Sequence, residues 1–136
     1  KYHKSILTKS DNRRIHSRSP KPGERLPFVN YNINGKEMNI RDQVKPAYFH
    51  LLIFSEEQKA RSLAQTAANY HKIVSLQYIP KAEGTKDMYT RFGISVSGWY
   101  LIRPDYHIAC RSDNIEGVLL DEYFRVISCK NKPANK

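Results

Sequence analysis

Seven consecutive residues, Tyr48-Phe49-His50-Leu51-Leu52-Ile53-Phe54, are apolar or aromatic except for one histidine. A run of this length, without polar alternation, is the pattern of a strand covered on both faces. Neither this run nor any other approaches the roughly 20 apolar residues that cross a bilayer. The next twenty-six residues narrow the choice further. Ser55-Glu56-Glu57-Gln58 reads as a capping box, with the Ser55 hydroxyl accepting from the backbone three residues on and Gln58 reaching back. Behind it Ala60, Leu63, Ala64, Ala67 and His71 fall on one face at helical spacing. Val74, Leu76 and Tyr78 then alternate with Ser75 and Gln77 as a second strand that ends at Pro80. The centre of the chain is therefore strand, helix, strand.

Upstream, Val29, Tyr31 and Ile33 alternate with Asn30 and Asn32. Asn34-Gly35 comes next, the dipeptide suited to a type I′ turn because both residues tolerate positive φ. Met38 and Ile40 resume the alternation, so residues 27–40 predict a β-hairpin. Downstream, 81–87 read as a polar loop and Met88–Phe92 as a short helical turn stopped by Gly93. Trp99–Arg103 and Tyr106–Cys110 predict two strands joined across Pro104-Asp105, where proline presets φ for the turn. Asp113-x-x-Glu116 predicts the cap of a last helix reaching about Ser128, with Leu120, Phe124 and Ile127 as its stripe beside Leu119 and Tyr123. Hairpin, strand–helix–strand, then strand–strand–helix around a central mixed sheet is the α/β wiring of a thioredoxin-like domain.

A length of 136 residues is one domain. The formal charge of +10 is unevenly placed. Residues 1–25 hold eight basic and two acidic residues and 130–136 add three lysines, which leaves 26–129 at +1. The expected organisation is a basic arm or linker over 1–22, a thioredoxin-like domain over 23–129 and a basic tail over 130–136. A basic arm can grip nucleic acid through phosphates, but such a run is more often a solvated flank. Nucleic acid is the weaker reading. The start at Lys1 and the ragged first segment read as a piece cut from a longer polypeptide.

Redox members of such a fold need a thiolate activated at a helix N-terminus, usually in Cys-x-x-Cys. The corresponding place here is Ser55-Glu56-Glu57-Gln58, which has no sulfur and two carboxylates. Cys110, read as the end of a strand, and Cys129, read as lying past the last helix, are too far apart in sequence to share a redox motif. A divergent redox protein using Cys110 remains the alternative. His3, His16, His50, His71 and His107 show no paired ligand spacing. His50, in the buried strand, reads as a hydrogen-bonded core residue, and His71 and His107 as rim positions. No two glycines form Gly-x-Gly, so neither a dinucleotide fingerprint nor a phosphate loop can be drawn. Tyr31, Tyr48, Tyr78 and Tyr123 fall at core-period positions rather than on a stacking platform. No catalytic, cofactor-binding or metal-ligating residue is expected.

Pro22-Gly23-Glu24-Arg25-Leu26-Pro27 resembles the Pro-Gly-Asp/Glu-Arg-x-Pro motif that opens the C-terminal domain of FAD-dependent aromatic hydroxylases, the phenol-hydroxylase-like flavoprotein monooxygenases. Trp99-Tyr100-Leu101-Ile102-Arg103-Pro104-Asp105 with His107-Ile108-Ala109-Cys110-Arg111-Ser112 is similar to that domain's Leu-Val/Ile-Arg-Pro-Asp-Gly-x-Ile/Val-Ala-x-Arg hairpin, and Arg91-Phe92-Gly93 to the Arg-Tyr-Gly that precedes it. Tyr106 stands where the family typically has glycine. The resemblance covers about residues 22–128. It implies a thioredoxin-like appendage without redox cysteines, serving packing or dimerisation in a cytoplasmic oxidoreductase. The implied partners are upstream FAD-binding and substrate domains of the same polypeptide and a second subunit, with no membrane. FAD and NAD(P)H, and insertion of one oxygen atom of O₂ into an aromatic ring, would belong to the upstream part. Pro22, Gly23, Arg25, Pro27, Arg103, Pro104, Asp105 and Arg111 are then structural motif residues. Arg103 and Arg111 are candidates to pair with Asp105 or with a neighbouring domain.

Overall fold

The structure, a computed structural model, describes residues 19–131, with side chains described through residue 126. Its centre is a four-stranded sheet in the order β4-β3-β5-β6, built from β3 (Phe49–Phe54), β4 (Val74–Tyr78), β5 (Gly98–Ile102) and β6 (Ile108–Ser112). β3 runs parallel to β4 and antiparallel to β5, which runs antiparallel to β6. The expected mixed sheet is obtained. The apolar run became the inner strand because both sheet faces are covered. Leu52, Phe54, Tyr100 and Ile102 face one layer, with Tyr31, Ile40, Met88 and Phe92. Leu51, Ile53, Trp99 and Leu101 face the other, with Leu63, Ala67, Leu120 and Phe124. Phe54 sits at the aromatic centre of the first layer, with ring centroids 5.2 Å from Tyr89, 5.3 Å from Phe92 and 6.1 Å from Tyr100.

The first layer is covered by the hairpin β1 (Asn30–Ile33) and β2 (Lys36–Asn39), by the single turn α1 (Ile40–Gln43) and by α3 (Lys86–Phe92). Asn34 and Gly35 have φ of 54° and 84°, the two positive values a type I′ turn needs. Ile40 does not continue β2 as its alternation suggests. The Asn39 side chain accepts from the Arg41 amide (2.9 Å) and caps α1, which turns the chain out of the ladder. Residues 81–87 are not a loop. A 3₁₀ turn at Glu83–Thr85 leads directly into α3, locked by the Thr85 hydroxyl donating to Pro80 O (2.7 Å). Gly93, at φ 71°, ends α3 in the left-handed conformation.

The second layer consists of α2 (Arg61–Ala68), which is preceded by a 3₁₀ turn at Glu57–Ala60, and α4 (Val118–Asn131). The expected capping box at Ser55 is absent. The Ser55 hydroxyl donates to Glu56 O (3.0 Å), and the helical turn begins at Glu57, beyond its reach. Ala60, Leu63 and Ala67 are buried as their spacing suggests, whereas His71 lies past the helix and is exposed. Tyr70 joins the two helices, stacking on Phe124 at 4.6 Å and donating to Asp121 (2.7 Å). α4 starts later than Asp113 because Asn114 turns the chain first, its side chain accepting from the Glu116 amide (2.9 Å). α4 also runs past Ser128, so Cys129 lies within the helix rather than beyond it.

Residues 19–26 form a strap along the outer edge of β6. Gly23 N donates to Ile108 O (2.8 Å), Ile108 N to Glu24 O (2.7 Å) and Leu26 N to Tyr106 O (2.7 Å). Ser19 and Pro20 are already buried, so packing begins ahead of the Pro22-Gly23 start read from the sequence. The rest of the expected arm, residues 1–18, and most of the expected tail, 132–136, lie outside the described residues. Among the described residues no helix is long and apolar enough to cross a membrane.

Candidate functional site

The two sequence motifs meet in space. Arg103 through His107 make a three-residue hairpin loop. Tyr106 N donates to Arg103 O (2.9 Å), Arg103 N donates to His107 O (2.8 Å), and Tyr106 takes the left-handed position at φ 69°. β6 therefore begins at Ile108, two residues later than the Tyr106 expected from the alternation. The strap carrying Pro22, Gly23 and Arg25 lies against this loop, with Arg25 bridged to His107. Pro27 then directs the chain to the hairpin, leaving Phe28 exposed.

Arg103 pairs with Asp105 at 2.5 Å, and the Asp105 carboxylate also accepts from the His107 amide (3.2 Å). The Arg103 hydrogen bond holds the Asp105 carboxyl below the usual range. Both side chains are about half exposed, so the pair is screened by water and braces the loop only weakly. Arg111 is different. It is 7% exposed and lies at the other end of β6, where Nη1 donates to Pro20 O (2.6 Å), Ser19 Oγ (2.7 Å) and the Tyr100 hydroxyl (3.4 Å). The Tyr100 hydroxyl in turn donates to Phe92 O at the end of α3 (2.8 Å). Burial raises the Tyr100 phenol pKa, so it stays protonated at neutral pH. Arg111 Nε has no partner, and among the described residues no carboxylate pairs with its guanidinium. Arg111 is thus a pin between the strap and the sheet and does not reach Asp105.

The β3–α2 junction is where a thiol would be activated. A hollow of about 240 Å³ lies there, lined by Ser55, Glu56, Lys59, Tyr89, Val96 and Ile115 among others, with no sulfur. Tyr89 is held by its hydroxyl on Ile79 O (2.6 Å), and burial pushes its pKa up to about 12. Cys110 is not at a strand end. It sits inside β6, fully enclosed in the second layer, and burial pushes its thiol well above the ordinary value. A buried thiol that stays protonated is not a nucleophile. The junction does not fit a dinucleotide either, because Glu56 and Glu57 stand where a pyrophosphate would need amide donors and positive charge.

His50 is a core residue, 3% exposed, with Nδ1 2.9 Å from Ser75 Oγ and Nε2 unpartnered. Desolvation lowers its pKa to about 4, outweighing an opposite effect of Gln77, so it is neutral at pH 7. Among the described residues no three potential ligands gather as a metal site. Tyr31 is buried, its hydroxyl donating to Gln77 (2.9 Å), and Tyr78 and Tyr123 are partly buried against the second layer. Sequence reasoning gave the Tyr100 and Tyr89 hydroxyls no role, because their acceptors, Phe92 O and Ile79 O, lie eight and ten residues away across a change of element that no local period reports.

The sheet order, the two covering layers and a β3–α2 junction without sulfur define a thioredoxin-like domain that lacks the redox pair. In agreement, the thioredoxin domain of a thiol-disulfide oxidoreductase from Bacteroides vulgatus superposes with a TM-score of 0.59 at 13% identity, over 80% of this chain and 99% of that one. Residues 19–126 match the family model "Aromatic-ring hydroxylase, C-terminal", and the chain belongs to that family. The flavin-dependent monooxygenase PieE, solved with FAD and substrate, matches with a TM-score of 0.63 at 23% identity, over 83% of this chain and 21% of that one. Aklavinone-11 hydroxylase, solved with FAD and aklavinone, matches with a TM-score of 0.56 at 21% identity, over 74% of this chain and 20% of that one. The chain thus spans about a fifth of the length of these two hydroxylases. No curated protein sequence matches it.

Proposed function

We propose that this chain is the non-catalytic C-terminal domain of a larger FAD- and NAD(P)H-dependent aromatic-ring monooxygenase, serving packing against the preceding domains or association of subunits. The observation that carries this reading is the junction at the end of β3, which holds Ser55 and Glu56 in place of a thiol while the nearest cysteine of the sheet, Cys110, is sealed in the core. Flavin binding, ring hydroxylation and the choice of aromatic substrate then reside in the polypeptide ahead of this domain. The thioredoxin-like domain is read over residues 23–129, and the family match over 19–126 supports that reading. The basic arm ahead of it is a linker, and the basic tail closes it. Pro22, Gly23, Arg25 and Pro27 shape the strap, while Arg103, Pro104, Asp105 and Arg111 shape and pin the hairpin beside it. The protein is cytoplasmic on this reading, and nucleic acid is not a partner.

The test is direct. The purified chain mixed with FAD should retain no flavin on gel filtration and show no flavin-induced thermal shift. Cys110 should react with a thiol reagent only upon unfolding. Tight stoichiometric flavin binding, or rapid Cys110 modification with peroxide turnover, overturns the non-catalytic reading.

A further inference from the structure

A charge taken out of water needs a counter-charge or a full set of acceptors. Arg111 has neither among the described residues. Its guanidinium is always protonated, and the residue is 7% exposed. All of its hydrogen bonds leave from Nη1, which serves Pro20 O, Ser19 Oγ and the Tyr100 hydroxyl. Nε is buried without a partner, and Nη2 makes no hydrogen bond among the described residues. The Nε–Nη2 edge is the side of the fork on which a carboxylate seats through two parallel bonds. Here it meets no acceptor.

No neighbour supplies the missing negative charge. Tyr100 is the one acid hydrogen-bonded to Arg111 among the described residues, and its hydroxyl proton is committed to Phe92 O (2.8 Å). Burial keeps that phenol protonated, outweighing the Ser19 hydrogen bond and the charges of Arg111 and Arg91. Asp113, two residues on from Arg111, forms no ion pair with it. A second cation stands close instead. Arg91 is exposed in the last turn of α3, one residue before the carbonyl that Tyr100 holds, and its charge is felt at the Tyr100 hydroxyl. Arg91 also has no ion pair among the described residues. Three segments of the sequence motifs thus converge: Arg91-Phe92-Gly93, Arg111 and the start of the strap.

We propose that Arg111 and Arg91 form a carboxylate-binding site at the seam between the strap, β6 and the end of α3. Arg111 takes the two carboxylate oxygens on Nε and Nη2, its plane fixed by the three bonds on Nη1. Arg91 adds attraction from the rim. The paired donors of the fork match two oxygens in one plane, which favours a carboxylate over a halide. A neutral ligand would leave the buried charge uncompensated. The carboxylate has two possible sources. One is this chain itself: Ser19 and Pro20, which hold Nη1, are where the preceding residues reach the strap, and Asp11 is the single acid in residues 1–18. The other is a carboxylate from outside the chain. The site stands apart from the role proposed above for the domain, since neither flavin binding nor Cys110 enters it.

Thermal unfolding of the full chain at neutral pH, with acetate replacing chloride at constant ionic strength, tests the site. Acetate should raise Tm saturably, by roughly 5 °C at about ten times its dissociation constant. Arg91→Gln alters an exposed residue and should require roughly threefold more acetate for the same rise. Arg111→Lys keeps the charge without the fork and should abolish the rise; if that variant does not fold, Arg91→Gln decides alone. A response in the parent chain assigns the carboxylate to a source outside it. A parent indifferent to acetate, with Asp11→Asn lowering Tm and creating the response, assigns it to Asp11. The site is overturned if neither the parent nor Asp11→Asn distinguishes acetate from chloride, or if the rise is the same in Arg91→Gln.

Discussion

Gly84→Ala isolates the contact that holds the N-terminal hairpin over the sheet. Gly84 lies in the 3₁₀ turn ahead of α3 and does not have positive φ, so alanine suits its backbone. The obstacle is space. A Cβ there would stand 2.3 Å from the Asn32 carbonyl oxygen and 3.0 Å from the Asn32 Cβ. Ordinary C···O contacts begin near 3.3 Å, so β1 must retreat by about 1 Å, and no side-chain rotation relieves a clash with backbone. The retreat draws Tyr31, next to Asn32, away from Gln77, to which it donates across 2.9 Å. Overpacking of this kind costs about 1–3 kcal/mol. The reduced entropy of the unfolded chain returns about 0.4–1 kcal/mol. The net expectation is a loss of about 1–2 kcal/mol, or roughly 4–8 °C in Tm for a domain of this size. Trp99, the single tryptophan, is fully buried with Nε1 donating to Asn114 O (2.8 Å), so its fluorescence reports guanidinium unfolding. A lower midpoint with an unchanged slope is the expected result. A midpoint equal to or above that of the parent would refute the close approach.

Acid should weaken the fold through His50. Its pKa is lowered to about 4 from an ordinary 6.5, so between those values the unfolded chain binds a proton that the folded chain refuses. Stability attributable to this residue falls as pH drops through that window, by about 3 kcal/mol in all. His50→Gln should flatten that part of the stability–pH curve, and an unchanged slope between pH 6.5 and 4 would count against the assignment. Tyr106→Val places a β-branched side chain at φ 69° and should lower stability by about 1–2 kcal/mol; a neutral Tm would show that the loop adopts another conformation. Arg111→Met should release the strap, with Gly23 and Leu26 amides exchanging roughly tenfold faster as about 1–2 kcal/mol of hydrogen bonding is lost. Unaltered exchange at both amides would mean that the backbone ladder alone holds the strap.

Much of the fold was legible because its elements are set by local periodicity. Continuous burial of β3, the Asn34-Gly35 turn and the Ala60, Leu63 and Ala67 stripe each depend on residues a few positions apart. The misreadings cluster where a side chain had two uses. Ser55 precedes Gln58 at capping spacing, yet the chain leaves β3 still extended and the helical turn starts too late for it. Ile40 fits the strand alternation, yet Asn39 has a side chain that can end the strand by capping. Glu83 through Asp87 are polar, yet Thr85 finds the Pro80 carbonyl and winds them into a turn.

The candidate site shows the same division more sharply. That no thiol comes after β3 is a matter of composition and needs no structure. That Cys110 is sealed depends on α2 and α4 closing over the sheet, a packing event between segments far apart in sequence. The two arginines of the hairpin motif look alike in sequence. Arg103 finds Asp105 two residues away, so its role is local. The role of Arg111 is set by Ser19 and Pro20, some ninety positions earlier. A one-dimensional pattern fixes which residues can bury, turn or cap, because those properties act over one turn of chain. That the strap covers the outer edge of β6 is decided only when a segment some eighty residues away reaches the same hydrogen bonds.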